Sequence, residues 1–204
     1  MTALDRVLGH PDVARVARAL AARPALAAPA RGEARVRRAA VALILRLDPR
    51  EELELLMIKR AVYAGDPWSG HVALPGGREE PADASLEETA IRETREETAV
   101  DLASRGRVLG TLDVLQPRTP VLPPIVIAPF VAAVEADVRI VTSPEVAQAF
   151  WVPLAALRDP AASRDVELVI RGAPRVVPSY GYGEHTIWGL TERILRQFLG
   201  LLAE

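Results

Sequence analysis

The sequence predicts an α/β layered domain, and three observations carry that expectation. Short β-rich runs recur along the chain with helical stretches between them, the pattern of strands and helices stacked in layers. The run Ile125 to Val134 is apolar throughout, as suits a strand lying centrally in a sheet. The last stretch places Leu190, Ile194, Leu195, Phe198 and Leu202 on one stripe at helical spacing. With 204 residues, 50% of them hydrophobic, the chain can bury one substantial core but is short for two. No internal repeat divides it.

From the N-terminus, Leu4, Val7, Leu8, Val13, Val16, Ala17 and Leu20 recur at roughly helical spacing, so this end is helical with a break near Gly9 to Pro11. The stretch from Arg23 to Gly32 reads as a connector, which separates an N-terminal helical extension, residues 1–32, from a main domain, residues 33–204. Val36 to Leu47 and Leu53 to Arg60 are β-rich runs around the charged turn Asp48 to Glu52, a hairpin pattern. A turn-rich stretch from Ala64 to Gly77 follows. Residues 84–98 are good helix formers; Asp83 or Ser85 can cap them, and Ser85 with Glu88 fits a capping box. Strands are expected at Val108 to Leu115, Ile125 to Val134 and Phe150 to Val152, and a hairpin at Asp165 to Val177 around Gly172. A helix at about 188–202 closes the chain.

Composition narrows the function. Lys and Arg number 25 against 27 Asp and Glu, spread along the chain, so no sequence-independent field for nucleic acid is built in. An anionic substrate must be held locally, by a few basic groups or by metal. The absence of cysteine excludes disulfides, thiolate zinc sites and cysteine nucleophiles. Asp5, Asp12 and several arginines interrupt the apolar residues of Met1 to Pro24, unlike a signal peptide, and no apolar run reaches membrane-spanning length. The plain expectation is a cytoplasmic protein that binds neither nucleic acid nor membrane.

The informative segment is Gly76 to Val100, GGREEPADASLEETAIRETREETAV. On a helix, Glu93, Glu96 and Glu97 stand at i, i+3 and i+4 and project from one face within a single turn. Like charges at that spacing repel, and a hard cation taking oxygen ligands relieves the repulsion. For three glutamates alone, a solvated face with Arg92 and Arg95 as counter-ions is the commoner arrangement. Context changes the odds: Pro75-Gly76-Gly77 lies one loop upstream, where glycine permits a tight turn and a close approach of backbone to metal or phosphate.

This ordered combination resembles the Nudix box, G-x5-E-x7-R-E-U-x-E-E-x-G-U with U a bulky aliphatic residue, and RETREETAV from Arg92 to Val100 is similar to its second half. The resemblance implies a Nudix-type α/β/α sandwich with a mixed β-sheet, and a metal-dependent hydrolase that cuts a diphosphate bond in a small nucleotide-derived substrate. It also implies that Glu93, Glu96 and Glu97 bind Mg²⁺ or Mn²⁺, joined by a carbonyl of Gly76 or Gly77, while Arg92 orients a glutamate by ion pairing. Three positions depart from the box. The Gly77-to-Arg92 interval is one residue longer, leaving Asp83 nearest to the first-half glutamate; Thr94 replaces an aliphatic residue; Ala99 replaces the glycine.

The flank Leu55 to Gly77, LLMIKRAVYAGDPWSGHVALPGG, is similar to the stretch that precedes the box in the coenzyme A pyrophosphatase branch, with His71 where that branch has glutamine. Ser143 to Leu154 and Ile187 to Leu195 also resemble that branch. The implied substrate is coenzyme A or an acyl derivative, cleaved to 4′-phosphopantetheine and adenosine 3′,5′-bisphosphate. ADP-ribose, a dinucleotide or another nucleoside diphosphate derivative is the rival. A catalytically silent Nudix binding module would be marked by loss of a metal-site glutamate, and Glu93, Glu96 and Glu97 are all present.

Other roles stay open on sequence alone. The proton acceptor for an attacking water is Glu93 or Glu145, and Glu145 can instead simply begin a helix. Arg60, His71 and Gly76 are candidate substrate contacts, although Arg60 can pair with a strand neighbour and His71 can hydrogen-bond its own loop. Tyr180, Tyr182 and Trp188 can stack on a nucleobase or pack under a loop, the more common fate. The N-terminal helix can serve as a lid or as the contact of a homodimer.

Overall fold

A computed structural model describes residues 2–22, 36–64, 68–117, 124–170 and 172–203. The connector expected from Arg23 to Gly32 lies outside the described residues. Among the described residues seven strands form the main sheet: β1 (Arg37–Leu47), β2 (Leu53–Arg60), β3 (Val72–Ala73), β4 (Gly76–Arg78), β5 (Gly106–Thr111), β6 (Ile125–Val134) and β7 (Val146–Pro153). The sheet is mixed, because β1 and β6 run parallel from Arg37↔Ile125 to Leu45↔Ala133 while the other pairings are antiparallel. The opposite edge of β1 is shared, with β4 along Ala39–Val41 and β2 along Leu45–Leu47. That split brings Gly76 and Gly77 into the sheet beside the centre of β1.

Side-chain alternation then assigns the two faces. On one, Ala40, Ala42 and Ile44 of β1, Leu56 of β2 and Ala128 and Ala132 of β6 meet Leu86 and Ala90 of α3 (Leu86–Thr98) and Leu102 of α4 (Leu102–Arg105). Alanines there let the backbone of α3 approach the sheet closely. On the other face, Leu43, Leu45, Leu55 and Met57 meet Val7 of α1 (Ala3–Gly9), Val13, Val16 and Leu20 of α2 (Pro11–Ala22) and Ile194, Leu195 and Phe198 of α6 (Leu190–Ala203). The result is the α/β/α sandwich that the sequence resemblance implied. A short α5 (Leu154–Arg158) leads into a second sheet of β8 (Ser163–Ile170), β9 (Ala173–Tyr182) and β10 (His185–Trp188). Among the described residues no helix is long and apolar enough to cross a membrane.

Several expected boundaries move, each for a physical reason. The helix expected from residue 84 starts at Leu86: Ser85 is its cap, accepting from the Glu88 N–H, while Glu88 accepts from the Ala84 N–H, so the capping box is only half formed. The strand expected to Leu115 ends at Thr111, its register broken between Val108 and Gly110, and Leu115 keeps one isolated bridge to Ile127. The strand expected at Phe150 to Val152 extends over Val146–Pro153, and the hairpin around Gly172 over Ser163–Tyr182. The last helix begins at Leu190, after Gly189 turns the chain at φ +71°, so Trp188 belongs to β10. The Pro75-Gly76-Gly77 turn is instead the entry to strand β4.

Candidate active site

Helix α3 sorts its side chains by face. Leu86, Thr89, Ala90, Thr94 and Thr98 are buried against the sheet, and the acids follow the boundary of that face. Glu97 is 5% exposed, whereas the Glu93 side chain is 18% and the Glu96 side chain 55% exposed. One turn of helix thus carries one interior acid, one half-buried acid and one outer acid. The family resemblance puts the three in one pocket; the structure grades them by depth.

Glu97 is held by β4: the Gly76 N–H donates to its Oε2 at 2.8 Å. Only glycine fits at Gly76, because φ is +151° and a Cβ there would lie 2.3 Å from the Ala40 carbonyl oxygen and 2.6 Å from the Val41 Cα. At Gly77 a Cβ would meet the Glu93 carboxyl group, with its Cδ and Oε1 at 2.4 Å. The paired glycines therefore do different jobs. Gly76 lets β4 lie against β1, and Gly77 leaves room for the Glu93 carboxylate.

Burial pushes the Glu97 carboxyl up to about 7, against the pull of the Gly76 N–H; the charge of Glu93 raises it further, Arg60 lowers it and Glu145 raises it. Burial likewise raises Glu93, opposed by Arg92 and reinforced by Glu96 and Glu145. Four acids from α3 and from the turn before β7 therefore act on one another electrostatically. Arg60, half-buried at the end of β2, bears on Glu97 through its charge and on the chain fold through its N–H, which donates to the His71 carbonyl.

Arg92 organises the rim. Its Nε and Nη2 donate to the two oxygens of Asp83 at 2.9 and 3.0 Å, Nη2 also reaches the Arg78 carbonyl, and Nη1 donates to Glu93 and Glu96 at 3.0 Å each. Asp83 is 5% exposed and also accepts from the Glu80 N–H and the Thr89 hydroxyl. The Arg92 hydrogen bonds hold the Asp83 carboxyl far below the usual carboxylate range, and Asp83 in turn keeps the guanidinium firmly protonated. Spacing pointed to Asp83, and its fork with Arg92 shows what it does: it fixes the arginine that holds Glu93.

The remaining candidates lie around this cluster. Glu145 is exposed in a turn that leads into β7, so the helix start considered for it is not what it forms. His71 packs its ring on Trp188, centroids 4.7 Å apart. Tyr182 stacks on Phe150, which also stacks on the buried His185, and Tyr180 sits in the core at 8% exposure. Tyr180 and Tyr182 thus pack within the fold. The approach of Glu145 to Glu93 and Glu97 carried no sequence signal, because it depends on β7 pairing with β2.

The residues suit a hard divalent cation in charge and ligand type: carboxylate oxygens that repel one another, one of them buried, beside a glycine whose missing Cβ leaves space at Glu93. Among the described residues no three acidic or histidine side chains already form a closed ligand group. Arg92 explains why, since it gathers Glu93 and Glu96 to itself; Glu96, largely exposed, can leave that ion pair at small cost.

Comparison with known proteins agrees with this architecture. The sequence model of the NUDIX domain matches residues 36–171. An uncharacterised Nudix hydrolase of Photorhabdus laumondii, NudL, is 33% identical over 162 residues, spanning 79% of this chain and 82% of its own. NudL of Yersinia pestis is 34% identical over 161 residues, 78% of this chain and 77% of that one. Among solved structures, a MutT/nudix family protein from Enterococcus faecalis superposes with a TM-score of 0.58 at 17% identity, over 100% of this chain and 74% of that one, a likeness of fold. A family match over residues 36–171, together with relatives that share a third of their sequence across most of both chains, makes this protein a member of the Nudix family, a hydrolase of pyrophosphate bonds in small nucleotide-type molecules.

Proposed function

We propose that the chain is a divalent-cation-dependent diphosphatase whose substrate is coenzyme A or an acyl derivative, released as 4′-phosphopantetheine and adenosine 3′,5′-bisphosphate. The observation that carries the cation reading is Glu97: a carboxylate buried beside Gly76 and pressed by the charges of Glu93 and Glu145 needs a positive partner to stay ionised. The coenzyme A assignment rests on the flank Leu55 to Gly77, which carries the resemblance to that branch and ends in β4, where the Gly76 N–H donates to Glu97. The main domain in this reading is residues 33–204, which contains the matched residues 36–171, and the N-terminal helices pack on its sheet through Val7, Val13, Val16 and Leu20.

Glu93, Glu96 and Glu97, with the Gly77 carbonyl, would hold Mg²⁺ or Mn²⁺. Bound there, such an ion neutralises phosphate charge and lowers the pKa of a water near it. Arg92, locked by Asp83, keeps Glu93 in one orientation, so the site is organised before substrate arrives. Arg60, His71 and Gly76 are the substrate side: Arg60 supplies charge to a phosphate, and His71 backs the loop that follows β2. Glu145 accepts the proton of the attacking water, because Glu93 is tied to Arg92 whereas Glu145 forms no ion pair among the described residues.

A panel of coenzyme A, acetyl-coenzyme A, ADP-ribose and a dinucleoside polyphosphate, each with Mg²⁺ and with Mn²⁺, tests the reading. Turnover is expected to be highest for the coenzyme A pair and to vanish with chelator. Equal rates across the panel would remove the coenzyme A assignment, and rates insensitive to chelator would remove the cation.

A further inference from the structure

We propose that Tyr63 is a positioning residue for the hydrolysis, acting through Glu145; the inference rests on the reading of Glu145 as proton acceptor. The turn that carries Glu145 is fastened on two sides. On the α3 side, the Ser143 N–H donates to the Glu97 carbonyl at 3.1 Å and the Val141 N–H to the Thr98 carbonyl at 3.0 Å. On the other side the chain just beyond β2 takes hold: the Ala61 N–H donates to the Glu145 carbonyl at 2.8 Å, and the Tyr63 hydroxyl donates to the Pro144 carbonyl at 3.0 Å.

That second hold is the unusual one. Tyr63 is 49% exposed, so its ring buries too little surface to be there for the core. Its backbone is nonetheless fixed at both ends by one side chain, since the Tyr63 N–H donates to the Ser69 hydroxyl at 2.9 Å and that hydroxyl donates to the Tyr63 carbonyl at 2.8 Å. The acceptor it reaches is the carbonyl of the peptide that joins Pro144 to Glu145. Rotation of that peptide swings the Glu145 side chain, and the Tyr63 hydroxyl opposes the rotation. Inside the turn the Val146 N–H donates to the Ser143 carbonyl at 3.1 Å and the Glu145 N–H to the Ser143 hydroxyl at 3.3 Å; both bonds end on Ser143, and the Pro144 carbonyl is held by Tyr63.

The consequence is specific. Loss of the hydroxyl leaves substrate contacts and core in place and lets Glu145 wander from Glu93 and Glu97. Four enzymes, wild type, Tyr63→Phe, Glu145→Gln and the double variant, are assayed with Mg²⁺ on coenzyme A, or on ADP-ribose if the panel selects it. Tyr63→Phe is expected to lower kcat about fivefold, the size of one hydrogen bond, with KM and melting temperature unchanged, and to lower it no further in the Glu145→Gln background. Wild-type kcat in Tyr63→Phe overturns the inference. So does an equal loss in both backgrounds, which places the effect elsewhere, and so does wild-type turnover in Glu145→Gln, which leaves nothing to position. Glu97→Gln run alongside separates the levels: its inactivity beside a fully active Tyr63→Phe sinks this inference and spares the reading of the site.

Discussion

A carboxylate with 5% of its surface exposed and, among the described residues, a single amide donating to it is held in an unfavourable state at neutral pH. Replacing Glu97 by glutamine removes that charge while its amide oxygen can still accept from Gly76. Without metal at pH 8 the variant is expected to melt several degrees above wild type, on the scale of about 1 to 2 kcal/mol, and to lose diphosphatase activity by orders of magnitude. Differential scanning and a turnover assay on the same preparation check both halves; an active or a destabilised variant contradicts the reading. The two departures from the Nudix box nearby make a second residue-scale prediction. Thr94 is fully buried on α3 and its hydroxyl finds no hydrogen-bond partner among the described residues, while Ala99 ends the helix at φ +58° in the left-handed region where the box has glycine. Thr94→Val removes an unsatisfied polar atom and Ala99→Gly removes backbone strain. Each is expected to stabilise by about 1 kcal/mol. Thermal melts that fall for Thr94→Val would mean that its hydroxyl finds a partner in solution.

At the scale of elements, the site is the meeting of strand β4 with helix α3, and neighbouring glycines of β4 should fail in different ways. A Cβ at Gly77 collides with the movable end of Glu93, so Gly77→Ala is expected to fold, to melt within a few degrees of wild type and to lose about a hundredfold in kcat as the acid is displaced. A Cβ at Gly76 collides with the backbone of Ala40 and Val41, so Gly76→Ala is expected to cost on the order of 3 kcal/mol and to appear mainly as lost soluble protein. Matching behaviour of the pair would contradict the geometry. The same two elements show what sequence can reveal. Helix α3 was legible because its caps, its helix formers and its acid spacing are local. Strand β4 was not, because Gly76 and Gly77 carry no strand preference and pair only because β1 leaves its edge open there. Strand β7 was underestimated for a related reason: Ala147 and Gln148 are exposed and look like loop, yet Gln148 pairs with Lys59. The box residues could be listed from the sequence, whereas the Glu97 bond to Gly76, the Asp83 fork on Arg92 and the closeness of Glu145 depend on tertiary folding.

For the whole molecule, these charges tie stability to pH and to metal. Glu97 has its folded pKa raised to about 7 from an ordinary value of 4.5, and Glu93 is raised as well. A carboxyl whose pKa is raised on folding favours the native state below its unfolded pKa, and that contribution disappears as pH climbs through the folded value. The metal-free protein should therefore lose stability between about pH 4.5 and pH 7, on the order of 3 kcal/mol from Glu97 alone. Asp83 works in the opposite sense: its lowered pKa contributes stability present above about pH 4 and lost as pH falls below it, so the two windows do not overlap. A cation among the acids takes the place of the proton. Mg²⁺ should then raise the melting temperature more at pH 8, where the acids are ionised and repel, than at pH 5.5, where protons compete for the same oxygens. Melting curves at both pH values, with and without Mg²⁺, measure the difference directly. In Glu97→Gln, both the neutral-pH decline and the Mg²⁺ response should shrink together. A Mg²⁺ shift of the same size at pH 5.5 and pH 8, or one that survives in Glu97→Gln, would place the ion away from this helix.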